Sequence, residues 1–159
     1  MGKTLILYYS YEGSTETVAK HLADKLDSDI EKINPVKEIK SKGFAKYIWG
    51  GGQVTMKKKP EIEPIKSNLE LYDLVLVGSP IWAGTMTPPI YTLFEDGIIK
   101  GKKIGYFYCS AGGAGKASDR AKISIDKYNS LVSSCHLIKV YNNHEKANYE
   151  ALNWAKELI

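Results

Sequence analysis

The sequence contains few cysteines, no cluster of histidines and no long apolar run, and these absences exclude several classes of protein. Its 159 residues include two cysteines, Cys109 and Cys135, too few for the disulfide framework of a small secreted domain. Both lie in apolar, strand-like stretches and are predicted to be inert core residues. The three histidines do not have metal-ligand spacing, so no metal site is predicted. No apolar segment approaches the roughly 20 residues that cross a bilayer.

The N-terminus also lacks the pattern of a signal peptide. Residues 1–3 lead directly into a strand-like stretch, without the longer apolar segment and small-residue cleavage site of a secreted protein. We therefore expect a cytoplasmic protein. The formal net charge is +4, but the lysines are spread along the chain, and the densest run, residues 57–59, ends at Pro60. This pattern predicts a solvated loop and argues against nucleic-acid binding.

Apolar runs alternate with helical patterns along the chain, which is typical of a parallel sheet covered by helices on both faces. Strands are predicted at residues 4–9, 29–33, 74–79, 104–109 and 136–141, with Pro80 ending the third. Helices are predicted at residues 15–26, 88–94, 117–131 and 146–158. Right-handed crossovers restrict this order of elements to a few doubly wound α/β topologies. The whole chain, residues 1–159, is predicted to form a single domain.

Residues 35–67 fit neither the strand nor the helix pattern. They are rich in lysine and glycine and include Phe44, Tyr47, Ile48, Trp49 and the glycines of residues 50–52. We predict a helical turn followed by a long excursion after the second strand. Loops of this length in compact domains are usually functional or mobile.

The loop after the first strand, residues 10–17, combines hydroxyl side chains with a glycine and the start of a helix. The free N–H groups and the dipole at a helix start form an anion site. Hydroxyls at Ser10, Ser14, Thr15 and Thr17 can donate to phosphate oxygens. Ordinary helix capping by Ser14 or Thr15 is the alternative. A Walker A loop is excluded because there is no Gly-Lys-Ser/Thr sequence.

The loop after the third strand, residues 78–89, places a tryptophan between prolines and small residues. We predict that Trp82 is poorly placed for the core and stacks on a flat ligand. Ala83 and Gly84 would let backbone groups approach that ligand closely. Packing of Trp82 against a neighbouring loop is the alternative.

The loop after the fourth strand, residues 110–116, is rich in glycine. Such a loop can direct successive backbone N–H groups at ligand oxygens, although a flexible turn fits the composition equally well. The three loops follow strands 1, 3 and 4 of one sheet, and ligands bind beyond the carboxyl ends of parallel strands. The combination therefore predicts a ligand site at this edge.

Two of these loops resemble motifs of the flavin-binding branch of the flavodoxin-like family. They are Tyr-Tyr-Ser-x-Glu-Gly-x-Thr at residues 8–15 and Gly-x-Pro-Ile-Trp-Ala-Gly at residues 78–84. The resemblance covers nearly the whole chain. It implies a flavodoxin-like doubly wound α/β fold, with a five-stranded parallel sheet in the order 2-1-3-4-5, helices on both faces and non-covalently bound FMN.

By this resemblance, three groups of residues would contact FMN, and none would be catalytic, because the flavin carries the chemistry. The phosphate would be surrounded by Ser10, Glu12, Gly13, Ser14, Thr15 and Thr17. The isoalloxazine ring would be lined by Pro80, Ile81, Trp82, Ala83 and Gly84, and its pyrimidine edge by Ser110, Ala111, Gly112 and Gly113. Glu12 departs from the family by replacing a threonine beside the phosphate. Its side chain is expected to turn outward, or its backbone N–H alone to serve the site.

The resemblance implies a redox protein that transfers electrons through FMN to a partner protein or to a small acceptor such as a quinone. The alternative is an NAD(P)H:quinone-type oxidoreductase, because the positive net charge is unlike that of the acidic electron-carrier flavodoxins. In that case Trp49 and residues 50–52 would form a wall of the acceptor pocket, unless they form a packing flap or an oligomer contact. A flavin-free interaction domain is a further alternative. A receiver domain is disfavoured because residues 8–10 and 78–80 lack the acids that phosphorylation needs.

Overall fold

A parallel sheet forms the centre of the protein in the computed structural model, which describes residues 2–37 and 59–159. Its strands are β1 (Lys3–Tyr8), β2 (Asp29–Lys32), β3 (Tyr72–Trp82), β5 (Lys103–Ser110) and β6 (Ser130–Ile138), with the two-residue β4 (Thr85–Met86) between β3 and β5 in the chain. The order across the sheet is β2-β1-β3-β5-β6, all parallel, and β4 pairs antiparallel with the end of β3. The order 2-1-3-4-5 predicted for the five parallel strands is confirmed.

Helices cover both faces of this sheet, as predicted. They are α1 (Ser14–Leu26), α2 (Pro88–Glu95), α3 (Ala117–Ile125) and α4 (His144–Lys156), and 3₁₀ turns form at Leu69–Leu71 and Val140–Asn142. Alternate residues of the central strands point to opposite faces. Leu5, Val75 and Tyr106 pack with α2 and α3, whereas Ile6 and Phe107 pack with α1 and α4. Burial on both faces explains why these strands read as continuous apolar runs. Within the described residues, no helix is long and apolar enough to cross a membrane.

The third strand continues through Pro80, where the sequence predicted its end. Pro80 pairs in register with Cys109 of β5. On the other side of β3, the strand β1 ends at Tyr8, and the N–H of Tyr9 donates to the Gly78 carbonyl at 3.0 Å. Backbone groups alternate sides along a strand, so the nitrogen of Pro80 points to the side that β1 has already left. Its missing N–H therefore removes no ladder hydrogen bond.

The predicted boundary between the third helix and the last strand was wrong. The helix expected over residues 117–131 ends at Ile125, and the strand expected from residue 136 begins at Ser130 and ends at Ile138. β6 is an edge strand with most residues partly exposed, so serines interrupt the apolar run that a buried strand shows. The Asp126 carboxylate accepts from the N–H of Leu131 at 2.8 Å and fixes the connection.

Both cysteines lie where the sequence predicted, in β5 and β6, and neither forms a disulfide. Cys109 is buried and Cys135 is half-buried. Burial raises the pKa of Cys109 to about 12 and that of Cys135 to about 11. Both are therefore thiols at neutral pH, in agreement with the prediction of unreactive residues.

The excursion predicted over residues 35–67 is described only at its two ends. Pro35 and Ile62 form an isolated antiparallel bridge. The Glu31 carboxylate of β2 accepts from the N–H of Lys66 at 2.7 Å and from that of Ser67 at 2.9 Å. These hydrogen bonds hold the segment that leads to β3 against β2. Trp49 and residues 50–52, on which the acceptor-pocket hypothesis rests, lie outside the described residues.

Candidate functional site

A cavity of about 410 Å³ lies beyond the carboxyl ends of β1, β3 and β5. β1 and β3 are neighbours, and their crossovers run to opposite sides, so the cavity is at the topological switch point of the sheet. It is lined by Ser10, Tyr11, Glu12, Ser14, Thr15, Pro80, Ile81, Trp82, Ala83, Cys109, Ser110, Ala111, Val140 and Tyr141. The volume is in the range of small-molecule and cofactor sites.

Ten of the fifteen predicted contact residues line this cavity, and all three predicted loops contribute. The predicted residues that do not line it are Gly13, Thr17, Gly84, Gly112 and Gly113. Four lining residues were not predicted: Tyr11, Cys109, Val140 and Tyr141. The last two follow β6 in a 3₁₀ turn, at positions where the strand is predicted to continue. An aromatic residue just past a correctly placed strand end is the signal that would have found Tyr141.

The first loop ends in a helix start that no side chain caps. Gly13 occupies the N-cap position of α1 with φ 103°, a conformation that favours glycine. Its N–H donates to Ser10 Oγ at 3.2 Å, and its carbonyl accepts from Thr17 Oγ1 at 3.0 Å. The alternative in which Ser14 or Thr15 caps the helix is therefore wrong. The N–H groups of the first turn have no intrahelical acceptor, and Ser14 and Thr15 of this turn line the cavity.

Thr15 carries a buried hydroxyl at this helix start. The residue is 1% exposed, and its Oγ1 has no hydrogen-bond partner among the described residues. The Cys109 thiol lies near this hydroxyl, but the two groups do not have the geometry of a hydrogen bond. Leaving a buried hydroxyl without a partner costs about 1–3 kcal/mol. An anionic oxygen in the cavity would supply the missing acceptor.

The two acidic residues of the first loop differ in their surroundings. Glu12 is exposed and lines the cavity. The Glu16 carboxylate pairs with Lys20 at 2.8 Å and with Lys32 at 3.8 Å, and it accepts from the Tyr8 hydroxyl at 3.3 Å. The bond to Lys20, helped by the charge of Lys32, lowers the pKa of Glu16 despite its partial burial. The negative charge of Glu16 is therefore balanced by the two lysines.

Trp82 is part of the hydrophobic core, contrary to the expectation that it is poorly placed for burial. It is 7% exposed and meets two tyrosines that follow β1, Tyr9 and Tyr11, edge-on. Its ring centroid lies 6.0 Å from that of Tyr9 and 5.8 Å from that of Tyr11, with interplanar angles of 85° and 81°. The alternative of packing against a neighbouring loop thus holds, and Trp82 lines the cavity as well. The tyrosines hold the indole in place as a cavity wall.

Ala83 and Gly84 form the two-residue turn of the hairpin that joins β3 to β4. Both have positive φ, 50° and 72°, as a type I′ turn requires. Ser79 anchors the base of this hairpin, because its buried hydroxyl accepts from the N–H of Thr87 at 3.0 Å and lies 2.9 Å from Thr87 Oγ1. The turn is therefore presented from a rigid base at the cavity rim.

The third loop is held by a short hydrogen-bonded chain. His136 of β6 stacks on Tyr108, with ring centroids 4.7 Å apart and planes 16° apart. Its Nε2 lies 2.6 Å from Ser110 Oγ, which donates to the Gly112 carbonyl at 2.6 Å. Since the serine proton goes to that carbonyl, Nε2–H donates to Ser110. This chain shapes the loop beside Ser110 and Ala111.

A dependence of stability on pH is expected from His136. Burial lowers the pKa of His136 below its ordinary value. The unfolded chain then binds more protons than the folded one, so this contribution to stability is present above the ordinary histidine pKa of about 6.5 and is lost as pH falls through the lower folded value. Thermal melts between about pH 5 and pH 8 measure it. His136→Gln should flatten the slope, whereas the exposed His144→Gln is the matched control; an unchanged slope in His136→Gln contradicts the prediction.

Comparison with known proteins places this architecture in a family. The family model for Flavodoxin matches residues 3–157. The chain is similar to a flavoprotein from Lactobacillus acidophilus NCFM solved in complex with FMN, at 25% identity, with a TM-score of 0.73 and coverage of 89% of this chain and 97% of that one. It is also similar to a protein from Bacteroides eggerthii DSM 20697 described provisionally as a flavoprotein, at 25% identity and a TM-score of 0.77, covering 99% and 98%.

A more distant likeness to oxidised Flavodoxin 2 from Bacillus cereus has 19% identity, a TM-score of 0.60 and coverage of 98% and 96%, and it supports the fold alone. No curated protein matches the chain. The family model spans nearly the whole sequence, and the sheet order and the cavity at its switch point are those that the two motifs implied. The chain belongs to the flavodoxin family.

Proposed function

We propose that this protein binds FMN non-covalently in the cavity and transfers electrons through it. One observation carries the proposal: Thr15, whose buried hydroxyl has no partner among the described residues, stands at the uncapped start of α1 and lines the same cavity as Trp82. A ligand that satisfies all three has an anionic group and a planar aromatic ring, and FMN has both. The relative from Lactobacillus acidophilus that was solved with FMN supports this choice.

The first loop would hold the phosphate without a lysine or arginine. The N–H groups of Ser14, Thr15 and Glu16 belong to the first turn of α1, where helix geometry leaves them without acceptors. The hydroxyl of Thr15 adds a further donor, and the helix dipole favours the negative charge. Gly13 and Thr17 act indirectly, since they bond to each other and set the direction of the helix start.

The second and third loops would hold the flavin ring. Pro80, Ile81, Trp82 and Ala83 give the cavity an apolar wall, and Ser110 and Ala111 line it from the β5 side. When bound, FMN supplies one- and two-electron redox chemistry, and the protein contributes position and a dry environment. The Cys109 thiol in the lining stays protonated, because burial raises its pKa to about 12. A protonated thiol is a weak nucleophile, and this supports binding without covalent attachment.

An FMN titration of the apo-protein tests the proposal. Free FMN fluoresces, and we expect its fluorescence to be quenched at a ratio of one FMN per chain as the ring enters the aromatic cavity. The absence of quenching and of a yellow protein after gel filtration would overturn the proposal. Steady-state oxidation of NADH or NADPH with a quinone as acceptor then separates the two redox classes. Turnover identifies an oxidoreductase, and its absence supports a carrier that receives electrons from a partner protein.

Gly84→Val is expected to weaken FMN binding by about 10- to 100-fold, because β-branched residues rarely adopt a positive φ and the strain of about 1–3 kcal/mol distorts the turn. A Cβ at this position would also lie 3.2 Å from Arg120 Nη1. Quenching of FMN fluorescence measures the change. Gly101→Val is the matched control, since Gly101 also has a positive φ, 68°, but precedes β5 at the edge of the sheet opposite the cavity, whereas Gly84 adjoins the lining residue Ala83. It should lower stability and leave FMN affinity intact; an equal loss of affinity in both variants would exclude the turn from the site.

A further inference from the structure

The Ala83–Gly84 turn is held from outside the hairpin by a single arginine. Arg120 lies in α3, a helix that packs against β4. Its Nη1 donates to the Gly84 carbonyl at 3.0 Å and approaches the Ala83 carbonyl at 3.5 Å. Arg120 is the only arginine among the 22 basic residues of the sequence. All the other residues in this group are lysines, so the one arginine of the sequence makes the contact with both carbonyls of the turn.

The turn needs such a contact because its first residue is strained. Ala83 has φ 50°, a left-handed conformation in which the Cβ of an L-residue crowds its own carbonyl. Strained backbone persists when the surrounding structure holds it, and it is common where the backbone meets a ligand. The pairs Ile81–Met86 and Trp82–Thr85 hold the base of the hairpin, and Arg120 holds its tip. Without Arg120, the two carbonyls at the tip would lose this contact with α3.

We propose that Arg120 is a positioning residue that fixes the orientation of the Ala83–Gly84 peptide groups against the bound flavin; this rests on the proposed function. Ala83 lines the cavity beside Trp82, whereas Arg120 does not. The arginine thus acts through the turn. With the Gly84 carbonyl committed to the guanidinium, the direction of the peptide groups at the cavity rim is set before the cofactor enters, and pre-organisation of this kind raises affinity.

Arginine and lysine differ in a way that makes the proposal testable. Both contacts come from Nη1, an N–H group carried on the rigid, planar guanidinium, whereas a lysine ammonium is a compact point charge on a flexible stem. Arg120→Lys therefore keeps the positive charge and loses the guanidinium N–H donor, and Arg120→Ala loses both. Lys122→Ala is the matched control, because Lys122 lies on the same helix but pairs with Asp126.

The experiment combines amide hydrogen exchange of the apo-protein with the affinity and reduction potential of bound FMN. We expect Arg120→Ala to speed exchange over residues 82–86 and to weaken FMN binding by about 3- to 10-fold, a modest effect because the contact is exposed to solvent. Arg120→Lys should reproduce most of both changes and shift the reduction potential, although the charge is retained. Lys122→Ala should change none of the three.

Three results would overturn the proposal, and they are distinguishable. Unchanged exchange in Arg120→Ala would show that the arginine does not hold the turn. Faster exchange with unchanged affinity and potential would show that the turn does not position the flavin. If Arg120→Lys behaves like the parent protein in every measurement, a positive charge alone is sufficient at this position and the guanidinium group is not required. Failure of the parent protein to bind FMN would overturn the proposed function itself, whatever the exchange data show.

Discussion

Thr15→Val is expected to stabilise the apo-protein and to weaken FMN binding, two effects of opposite sign from one nearly isosteric change. In the apo-protein the hydroxyl is buried without a partner, so its removal should raise the free energy of unfolding by about 1 kcal/mol. In the complex it would donate to a phosphate oxygen, and a hydrogen bond to a charged group contributes about 1.5–3 kcal/mol. FMN affinity should therefore fall by about 10- to 100-fold. Thermal melts of the apo-protein and FMN fluorescence titration measure the two effects.

Two further variants separate the loss of the hydroxyl from other consequences of the substitution. Thr15→Ser keeps a hydroxyl at this position and should retain most of the affinity. Thr17→Val removes a hydroxyl that is already bonded to the Gly13 carbonyl, so it should lower the stability of the apo-protein. If Thr15→Val destabilises the apo-protein as Thr17→Val does, the Thr15 hydroxyl has an acceptor within the protein and the phosphate site loses its main support.

Gly78→Ala is expected to have the largest effect on stability. Gly78 of β3 lies opposite Phe107 of β5, and a Cβ added there would come 2.3 Å from Phe107 Cζ and 2.4 Å from Cε2. The phenylalanine is fully buried and packs against Trp154, so it cannot move aside cheaply. Overpacking of this kind costs about 1–3 kcal/mol, and we expect the upper end. For a chain of this size, the melting temperature should fall by roughly 4–12 °C.

A double variant tests whether the ring is the cause. Phe107→Leu alone should destabilise the protein, but combined with Gly78→Ala it should recover stability, and the two free-energy changes should not add. Gly112→Ala is the matched control for a glycine-to-alanine change, because nothing lies within 4 Å of its added Cβ. Strict additivity of the two substitutions would contradict the proposed clash.

The buried part of the fold could be predicted from the sequence because its pattern is strong. Strands β1, β3 and β5 are covered on both faces, so their residues form continuous apolar runs. The edge strand β6 has no such run, and its start was misplaced for that reason. The strand end predicted at Pro80 was wrong for another reason. A proline interrupts a strand where the neighbouring strand needs its N–H as a donor, and the neighbour on that side, β1, ends before it reaches Pro80.

The sequence also predicts the chemical character of the site. A loop with hydroxyls at a helix start predicts an anion, and a tryptophan among small residues predicts a flat ring, whatever the exact contacts are. What the sequence misjudged is how each residue contributes. Trp82 is both a core residue and a cavity wall, and Gly112 and Gly113 stand outside the lining. Periodicity and composition describe neighbours along the chain, and these contacts join distant segments.

Local patterns in the sequence indicate that the strands are parallel and that three loops gather at their carboxyl ends, because hydrophobic period and turn chemistry are local properties. The order of the strands followed from the resemblance to the flavodoxin-like family. It is the packing of the elements that leaves the hydroxyl of Thr15 unpartnered, brings residues after β6 to the cavity, and lets Arg120 reach the Gly84 carbonyl from 36 residues away. Each of these depends on how far one element lies from another. That distance is fixed by the packing of helices on the sheet, which no local pattern encodes.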